Sequence, residues 1–242
     1  MNDLENYFHN NDKRLIHKWQ HYFEIYDKHF HPFRNQEVSI LELGVSHGGS
    51  LQMWRDYFGE KAKIYGVDIN PACKELEEGG IEIFIGSQED RNFLRELKTK
   101  IPPVDILIDD GGHTMKQQIY TFEELYDHVA INGIYLCEDT HTSYWRGFGG
   151  GYKRKGTFME YSKNLIDHLN AWHSEQKNKL DVTPFTRSTY ALHFYDSILV
   201  IEKRPITQPY HLTTGMPVIK RYRPKVSKVK KLSLKLKRKL NI

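Results

Sequence analysis

Two cysteines, Cys73 and Cys137, are all that 242 residues contain. That is too few for a disulfide framework, and with no CxxC pair there is no cysteine motif for zinc or redox work, so a reducing cytoplasm is the expected setting. No window reaches the roughly 18 consecutive apolar residues that a membrane-spanning helix needs. The first residues, MNDLENYFHNNDKRLIHKW, lack the basic-then-apolar order of a secretory signal. The chain also lacks the GK[ST] of a phosphate-binding P-loop and the strict GxGxxG of a dinucleotide site. No internal repeat is visible.

Acidic residues are missing from one place in particular. Lys220 to Lys239 holds eleven Lys or Arg and no Asp or Glu, so without that segment the net charge of +4 becomes −7. The body is acidic, and the basic character belongs to the tail. With 39% hydrophobic and 27% charged residues, the chain can bury one large α/β core. The organisation expected is an N-terminal helical extension over 1–35, a main domain over 36–205 and a basic tail over 206–242.

From Leu4 to Phe30, Leu15, Ile16, Trp19, Tyr22, Phe23 and Tyr26 recur at helical spacing, which predicts one or two amphipathic helices closed by Pro32. Short β-rich runs then alternate with helical stretches: Ser39–Gly44, Lys63–Asp68, Ile81–Ile85, Val104–Asp109 and Gly133–Glu138, with helices starting near Ser50, Gln88 and Met115. Such alternation is the mark of βαβ units and predicts a Rossmann-like, doubly wound α/β fold with a mostly parallel sheet. TYALHFYDSILVIEK adds two strands about a tight turn near Asp196, a late antiparallel hairpin. Between Thr140 and Gly156 the glycine-, aromatic- and base-rich sequence has no period and reads as a mobile loop over the site.

The chemistry gathers at strand ends. In ELGVSHGGS, Gly44, Gly48 and Gly49 permit a tight turn whose N–H groups can approach a ligand at the next helix start. Twenty residues after Gly48, Asp68 ends the second strand, where an acid can accept from both hydroxyls of a ribose. Asp109 and Asp110 in IDDGGH, and Glu138 and Asp139 in LCEDTH, end two further strands. Adjacent strands lie about 4.8 Å apart, so these carboxylates can converge. Three together repel unless a cation neutralises them, and a hard oxygen cage with open water positions suits Mg²⁺. His113, on the glycine turn, can face the same cleft and take a proton from an attacking hydroxyl.

Taken in order, ILELGVSHGGS, YGVDIN and ILIDDGGH resemble the cofactor motifs of Rossmann-like S-adenosylmethionine-dependent methyltransferases. That likeness implies Glu42, Gly44 and Ser50 near the methionyl end, Asp68 on the ribose, Gln88 and Asp90 near adenine, and Asp109 lining the pocket. The DDGGH and ED pairing resembles, more narrowly, the metal-dependent sugar O-methyltransferases of macrolide biosynthesis, of the mycinamicin and demethylmacrocin type. It implies Asp110, Glu138 and Asp139 as Mg²⁺ ligands, His113 as general base, and a small-molecule or glycan acceptor. The likeness runs from about Ile40 to Trp145; the large N-terminal domain that some of those enzymes carry is not expected.

Other readings stay open at this point. Phenol or catechol methylation also fits metal-bound carboxylates, and a non-catalytic cofactor-binding module tethered by its tail is a third reading. His17 and His21 form an HxxxH pair on the expected helix but lack a neighbouring Glu and a third ligand, so they read as packing or surface groups. Tyr144, Trp145 and Phe148 could stack on a sugar or simply close the loop. In the tail, Val226, Val229, Leu232, Leu236 and Leu240 at helical spacing among lysines suit peripheral contact with an anionic inner membrane face; a solvated tail is the commoner case, and nucleic acid is disfavoured by the acidic body. Aromatic N-terminal helices would make a homo-oligomer interface.

Overall fold

The structure, a computed structural model, describes residues 1–176 and 178–220; the hydrophobic positions singled out in the tail, Val226 to Leu240, lie outside them. Met1–Gln208 form one compact unit, and a second begins at Pro209. Seven strands make one sheet: β1 (Ser39–Leu43), β2 (Lys63–Asp68), β3 (Ile81–Ile85), β4 (Val104–Asp109), β5 (Val129–Cys137), β6 (Thr189–Phe194) and β7 (Leu199–Lys203), in the order β3-β2-β1-β4-β5-β7-β6. The first five are parallel, and β7 runs antiparallel to both neighbours. The parallel, doubly wound sheet with its late hairpin is the one expected.

Strand parity divides the core. Ile40, Ile64, Ile106, Ile108 and Leu136 face one layer, beneath α1 (Asp3–His9), α2 (Tyr22–Phe30) and α3 (Gly49–Phe58). Leu41, Leu43, Val67, Leu107 and Tyr135 face the other, beneath α4 (Arg91–Lys100), α5 (Met115–Leu125) and α6 (Phe158–Leu169). A strand covered on both faces is apolar throughout, as SILEL and VDILID nearly are. The exceptions are informative. Glu42 is paired with Ile108 across β1 and β4, and Asp109 with Cys137 across β4 and β5, so the acids at these strand ends stand on adjacent strands.

The N-terminal segment departs from expectation. Only Tyr22 onward is helical in its second half: Tyr22, Phe23, Tyr26 and Phe30 are buried. Residues 10–21 form a strap without regular structure, on which Leu15 and Trp19 are 62% and 52% exposed while Ile16 packs into the core. A helix would have put those three on one face; the strap instead turns Ile16 inward and leaves its neighbours out. HxxxH therefore does not lie on a helix: His17 is on the strap, and His21 contacts the backbone oxygen of Asp196 at 3.1 Å.

At the far end of α2, His29 is buried against His193 of β6, with Nε2 2.9 Å from Tyr195 Oη and Nδ1 3.6 Å from Glu202. Burial, reinforced by His193, lowers its pKa to about 4. Unfolding frees the imidazole to take up a proton near its ordinary value of about 6.5, whereas the native state resists protonation. This contribution is therefore intact above pH 6.5 and is lost as pH falls towards 4. Urea midpoints between pH 7 and 4 should fall more steeply for the native chain than for His29→Gln; parallel slopes would remove His29 as the cause.

Candidate functional site

A cleft of about 410 Å³ opens at the carboxyl ends of β1, β2 and β4 and is lined by Gly44, Ser50, Asp68, Gln88, Asp110, His113 and Asp139 together with the strap residues Leu15–Lys18. Ligands of doubly wound folds bind at this edge of the sheet. Glycine is required at Gly44: φ is +98°, and a Cβ there would lie 2.0 Å from the Asp110 carbonyl oxygen. The β1 loop thus presses directly on the β4 turn.

Asp68 closes the second wall. Its Oδ2 accepts from the backbone N–H groups of Val45 and Ser46, both at 2.9 Å, and its Oδ1 accepts from Asn70 at 2.9 Å. The glycine loop's first amides are therefore turned onto Asp68. The start of α3 is likewise covered, because the strap crosses it so closely that a Cβ on Gly49 would lie 2.4 Å from Leu15 O. That close crossing, rather than an approaching ligand, is what Gly49 accommodates.

Three residues expected at the cofactor stand behind the cleft or beside it. Glu42 is fully buried, accepts from Ser50 Oγ at 2.9 Å, and keeps its Oε1 without a hydrogen bond. Burial pushes its pKa up to about 7 against the pull of Lys18. Asp109, also fully buried, is pushed up to about 7 by burial while accepting from Gln88. Gln88 reaches the cleft, but its amide is committed to Asp109, Thr121 and the Gly112 N–H. Asp90 caps α4, accepting from Asn92 and Phe93, and takes no part in the cleft lining.

The acidic cage is present but divided. Asp110, His113 and Asp139 each offer a ligand atom within 4.8 Å of the others, a set that does not extend to Glu138. His113 Nε2 is 3.4 Å from Asp139 Oδ2 and 3.9 Å from Asp110 Oδ1, and His113 Nδ1 is buried without a partner. Both His113 (φ +55°) and Asp139 (φ +51°) hold left-handed backbone, rare for residues with a side chain and frequent at functional sites. Asp139 Oδ1 accepts from Tyr22 Oη at 2.6 Å.

Glu138 belongs to a different arrangement. Lys18 Nζ, from the strap, donates to both Glu138 oxygens at 3.0 Å and to Asp110 Oδ2, with Glu42 Oε1 at 3.6 Å; the lysine side chain is 2% exposed. Burial alone would lower the pKa of this ammonium, but Asp110, Glu138 and Glu42 outweigh it and hold it above its usual range.

The loop after β5 is more ordered than expected. Short 3-10 turns at Thr140–Tyr144 and Arg146–Phe148 are joined by Gly150 N–H to Trp145 O and Gly151 N–H to Ser143 O, and Thr142 Oγ1 donates to the His113 carbonyl at 2.8 Å. Trp19, His141, Trp145 and Phe148 follow one another as a row of ring contacts, with centroids 5.7, 4.5 and 5.8 Å apart. Trp19, Tyr144 and Trp145 stay half exposed.

Residues 41–140 match the family described as a methyltransferase domain. The chain is 35% identical over 206 residues to the 8-demethyl-8-alpha-L-rhamnosyl tetracenomycin-C 2'-O-methyltransferase of Streptomyces olivaceus, an alignment covering 81% of this chain and 53% of that protein. It is 37% identical over 204 residues to the demethylmacrocin O-methyltransferase of Streptomyces fradiae, covering 78% and 51%. Of solved structures, MycE from the mycinamycin biosynthetic pathway, in complex with Mg, SAH and mycinamycin VI, superposes with a TM-score of 0.74 at 32% identity over 84% of this chain and 53% of that one.

The chain carries a Rossmann-like methyltransferase domain. The chain spans about half the length of the curated relatives it matches. Among its described residues no helix is long and apolar enough to cross a membrane. The cleft residues that the motifs did not reveal come from the N-terminal segment of this chain, Lys18 and Tyr22 above all. Both contact the β5 end across more than a hundred residues, and the sole sequence signal was a lysine set among aromatic residues.

Proposed function

We propose that this chain transfers the methyl group of S-adenosylmethionine to a hydroxyl on the sugar of a glycosylated small molecule. The observation that carries the reading is that the glycine loop with Asp68 and the acidic cluster with His113 line one cleft. The relatives named above are O-methyltransferases, one of them acting on a rhamnosyl tetracenomycin, and MycE was solved with Mg, SAH and mycinamycin VI.

The residues present fit both groups. Asp68 Oδ1 keeps one acceptor site beyond the three backbone bonds of the carboxylate, and Val67 and Ile69 give apolar walls beside it, as a nucleoside requires. Asp110 and Asp139 fit a hard divalent cation, since both turn an oxygen towards one point that His113 Nε2 also faces. When bound, S-adenosylmethionine supplies an electrophilic sulfonium methyl, and Mg²⁺ supplies a Lewis acid that eases loss of a proton from a weakly acidic sugar hydroxyl. Glu138, expected among the ligands, is engaged by Lys18.

His113 Nε2 serves as the general base, accepting the hydroxyl proton as the oxygen attacks. Thr142 fixes its position through the His113 carbonyl, and Tyr22 orients Asp139 by donating to Oδ1, leaving Oδ2 for the cleft. The exposed rings of Trp19 and Trp145 offer faces on which the apolar side of a sugar can lie. The reaction is therefore expected to stop in EDTA and to resume on adding Mg²⁺, measured as methyl transfer to glycosylated acceptors. Undiminished transfer in chelator would remove the divalent ion from the reading. A phenolic acceptor used in preference to any sugar would move the substrate to the runner-up class.

A further inference from the structure

Among the described residues a second cluster of metal-ligating side chains stands at the β6 edge of the sheet, and none of its members lines the cleft. His193 on β6 and Glu202 on β7 are diagonal neighbours on one sheet face, because Ala191 pairs with Glu202 and His193 with Val200. That face is the one α2 covers, and the last turn of α2 brings His29 down on the pair. His193 Nε2 lies 2.8 Å from Glu202 Oε1, His29 Nδ1 lies 3.6 Å from the same oxygen, and the two imidazole centroids are 4.9 Å apart. One ligand atom from each of the three falls within 4.8 Å of the others. His29 is also the only imidazole on the buried side of α2, whose other buried residues are aromatic or aliphatic.

We propose that His29, His193 and Glu202 hold a borderline divalent ion of the Zn²⁺ type, which fastens α2 to the hairpin of β6 and β7. Two neutral imidazoles with one carboxylate are a donor set that zinc takes, and a tetrahedron with bonds of about 2.0 Å separates its ligand atoms by about 3.3 Å. The two separations from Glu202 Oε1, 2.8 and 3.6 Å, bracket that value. His29 Nε2 faces Tyr195 Oη at 2.9 Å; a proton on Nε2 donated there leaves the Nδ1 lone pair turned towards Glu202 and the ion. Burial keeps this imidazole neutral at pH 7, the state that binds a metal. The neighbouring cations sit on other atoms: Lys28 Nζ donates to Tyr195 Oη, and Arg204 approaches Glu202 Oε2 at 3.9 Å, so neither takes Oε1. His193 and Glu202 are partly exposed, which gives the ion an entry path and a water as its fourth ligand. Tyr22 begins the same helix about 10 Å along its axis from His29, so the ion steadies the element that orients Asp139.

Zn²⁺ titrated calorimetrically into the chelator-treated full chain tests this, with excess Mg²⁺ present to occupy the acidic cluster of the cleft. One Zn²⁺ per chain is expected to bind. His193→Gln and Glu202→Gln should each weaken that binding by about 10²-fold or more, and Asp139→Asn should leave it unchanged. Co²⁺ in its place should give the intense visible bands of a four-coordinate ion, absent from His193→Gln. At roughly a hundredfold excess over its Kd, Zn²⁺ should raise the native Tm by about 5 °C or more and leave that of His193→Gln unmoved. Both variants alter partly exposed side chains, so they keep the fold even where replacement of buried His29 does not. No Zn²⁺ binding by the native chain in excess Mg²⁺, or equal binding in His193→Gln and Glu202→Gln, overturns the proposal. So does a loss confined to Asp139→Asn, which would put the zinc in the cleft. If the acidic cluster takes no Mg²⁺ and accepts zinc instead, the count rises to two, and loss of one in His193→Gln still upholds the site.

Discussion

Exchange of His113 for asparagine is expected to lower kcat for a sugar acceptor by about 10²-fold or more while leaving the dissociation constant of S-adenosylmethionine nearly unchanged. Asparagine is the informative replacement because the residue sits at φ +55°. Alanine would add backbone strain to the loss of the imidazole, whereas asparagine visits that region readily. The backbone carbonyl that accepts from Thr142 is retained, so the loop after β5 keeps its anchor. What disappears is Nε2, 3.4 Å from Asp139 Oδ2 and open to the cleft. The Gly44 and Asp68 wall is built from β1 and β2 and shares no hydrogen bond with His113. A base acting only in the transition state would therefore show its loss in kcat and not in cofactor affinity. The reverse pattern, weaker cofactor with kcat preserved, would make His113 a wall of the cleft. The acceptor refines the test: a phenol, already acidic, should lose far less than a sugar hydroxyl from the same change.

Much of this arrangement could be read from the residues in order, because strand period and strand-end chemistry are local. The bounds of β2, β3 and β4 coincide with the runs marked out by alternating β-branched residues, and Asp68 and Asp109 end β2 and β4 as a parallel sheet's binding edge requires. β5 was less legible. Asn132–Gly133 has the composition of a turn, yet the structure uses it within the strand, where Asn132 takes φ +67° and the register with β4 shifts between Val104 and Ile106. The strand consequently begins at Val129, four residues early.

The less legible parts depend on contacts distant in sequence. Ile16 and Trp19 mimic a helical stripe, but the strap's conformation is set by Lys18 meeting carboxylates 92 and 120 residues away. No local period encodes such a pairing. Asp90 shows the opposite difficulty. It follows β3 where an adenine-binding acid is expected, and the same position, one residue before α4, is where an acidic cap belongs. The structure gives one oxygen of Asp90 to that cap.

Gly44→Ala should be the most damaging of the single-methyl additions. The new Cβ would lie 2.0 Å from the Asp110 carbonyl oxygen in a backbone held at φ +98°, and both neighbours are strand ends rather than flexible side chains. Strain of about 1–3 kcal/mol for the backbone region and a similar amount for overpacking give roughly 3 kcal/mol or more in total. For a chain of this size that is a fall in Tm of about 6–12 °C. Gly147→Ala provides the control: its Cβ meets nothing within 4 Å, and a change within about 0.5 kcal/mol is expected. The consequence reaches beyond stability. Relief of the clash must part β1 from β4, and those two strand ends carry the wall proposed for the cofactor and the acidic cluster respectively. Calorimetry and S-adenosylhomocysteine titration should therefore show the melting point and the affinity falling together in Gly44→Ala. Gly49→Ala, whose methyl meets the strap at Leu15 O and Arg14 O instead, should spare the contact between β1 and β4 and release Lys18 from Glu138. If Gly44→Ala melts and binds like Gly147→Ala, the two halves of the cleft are not joined through Gly44, and the shared geometry on which the proposed transfer depends is lost.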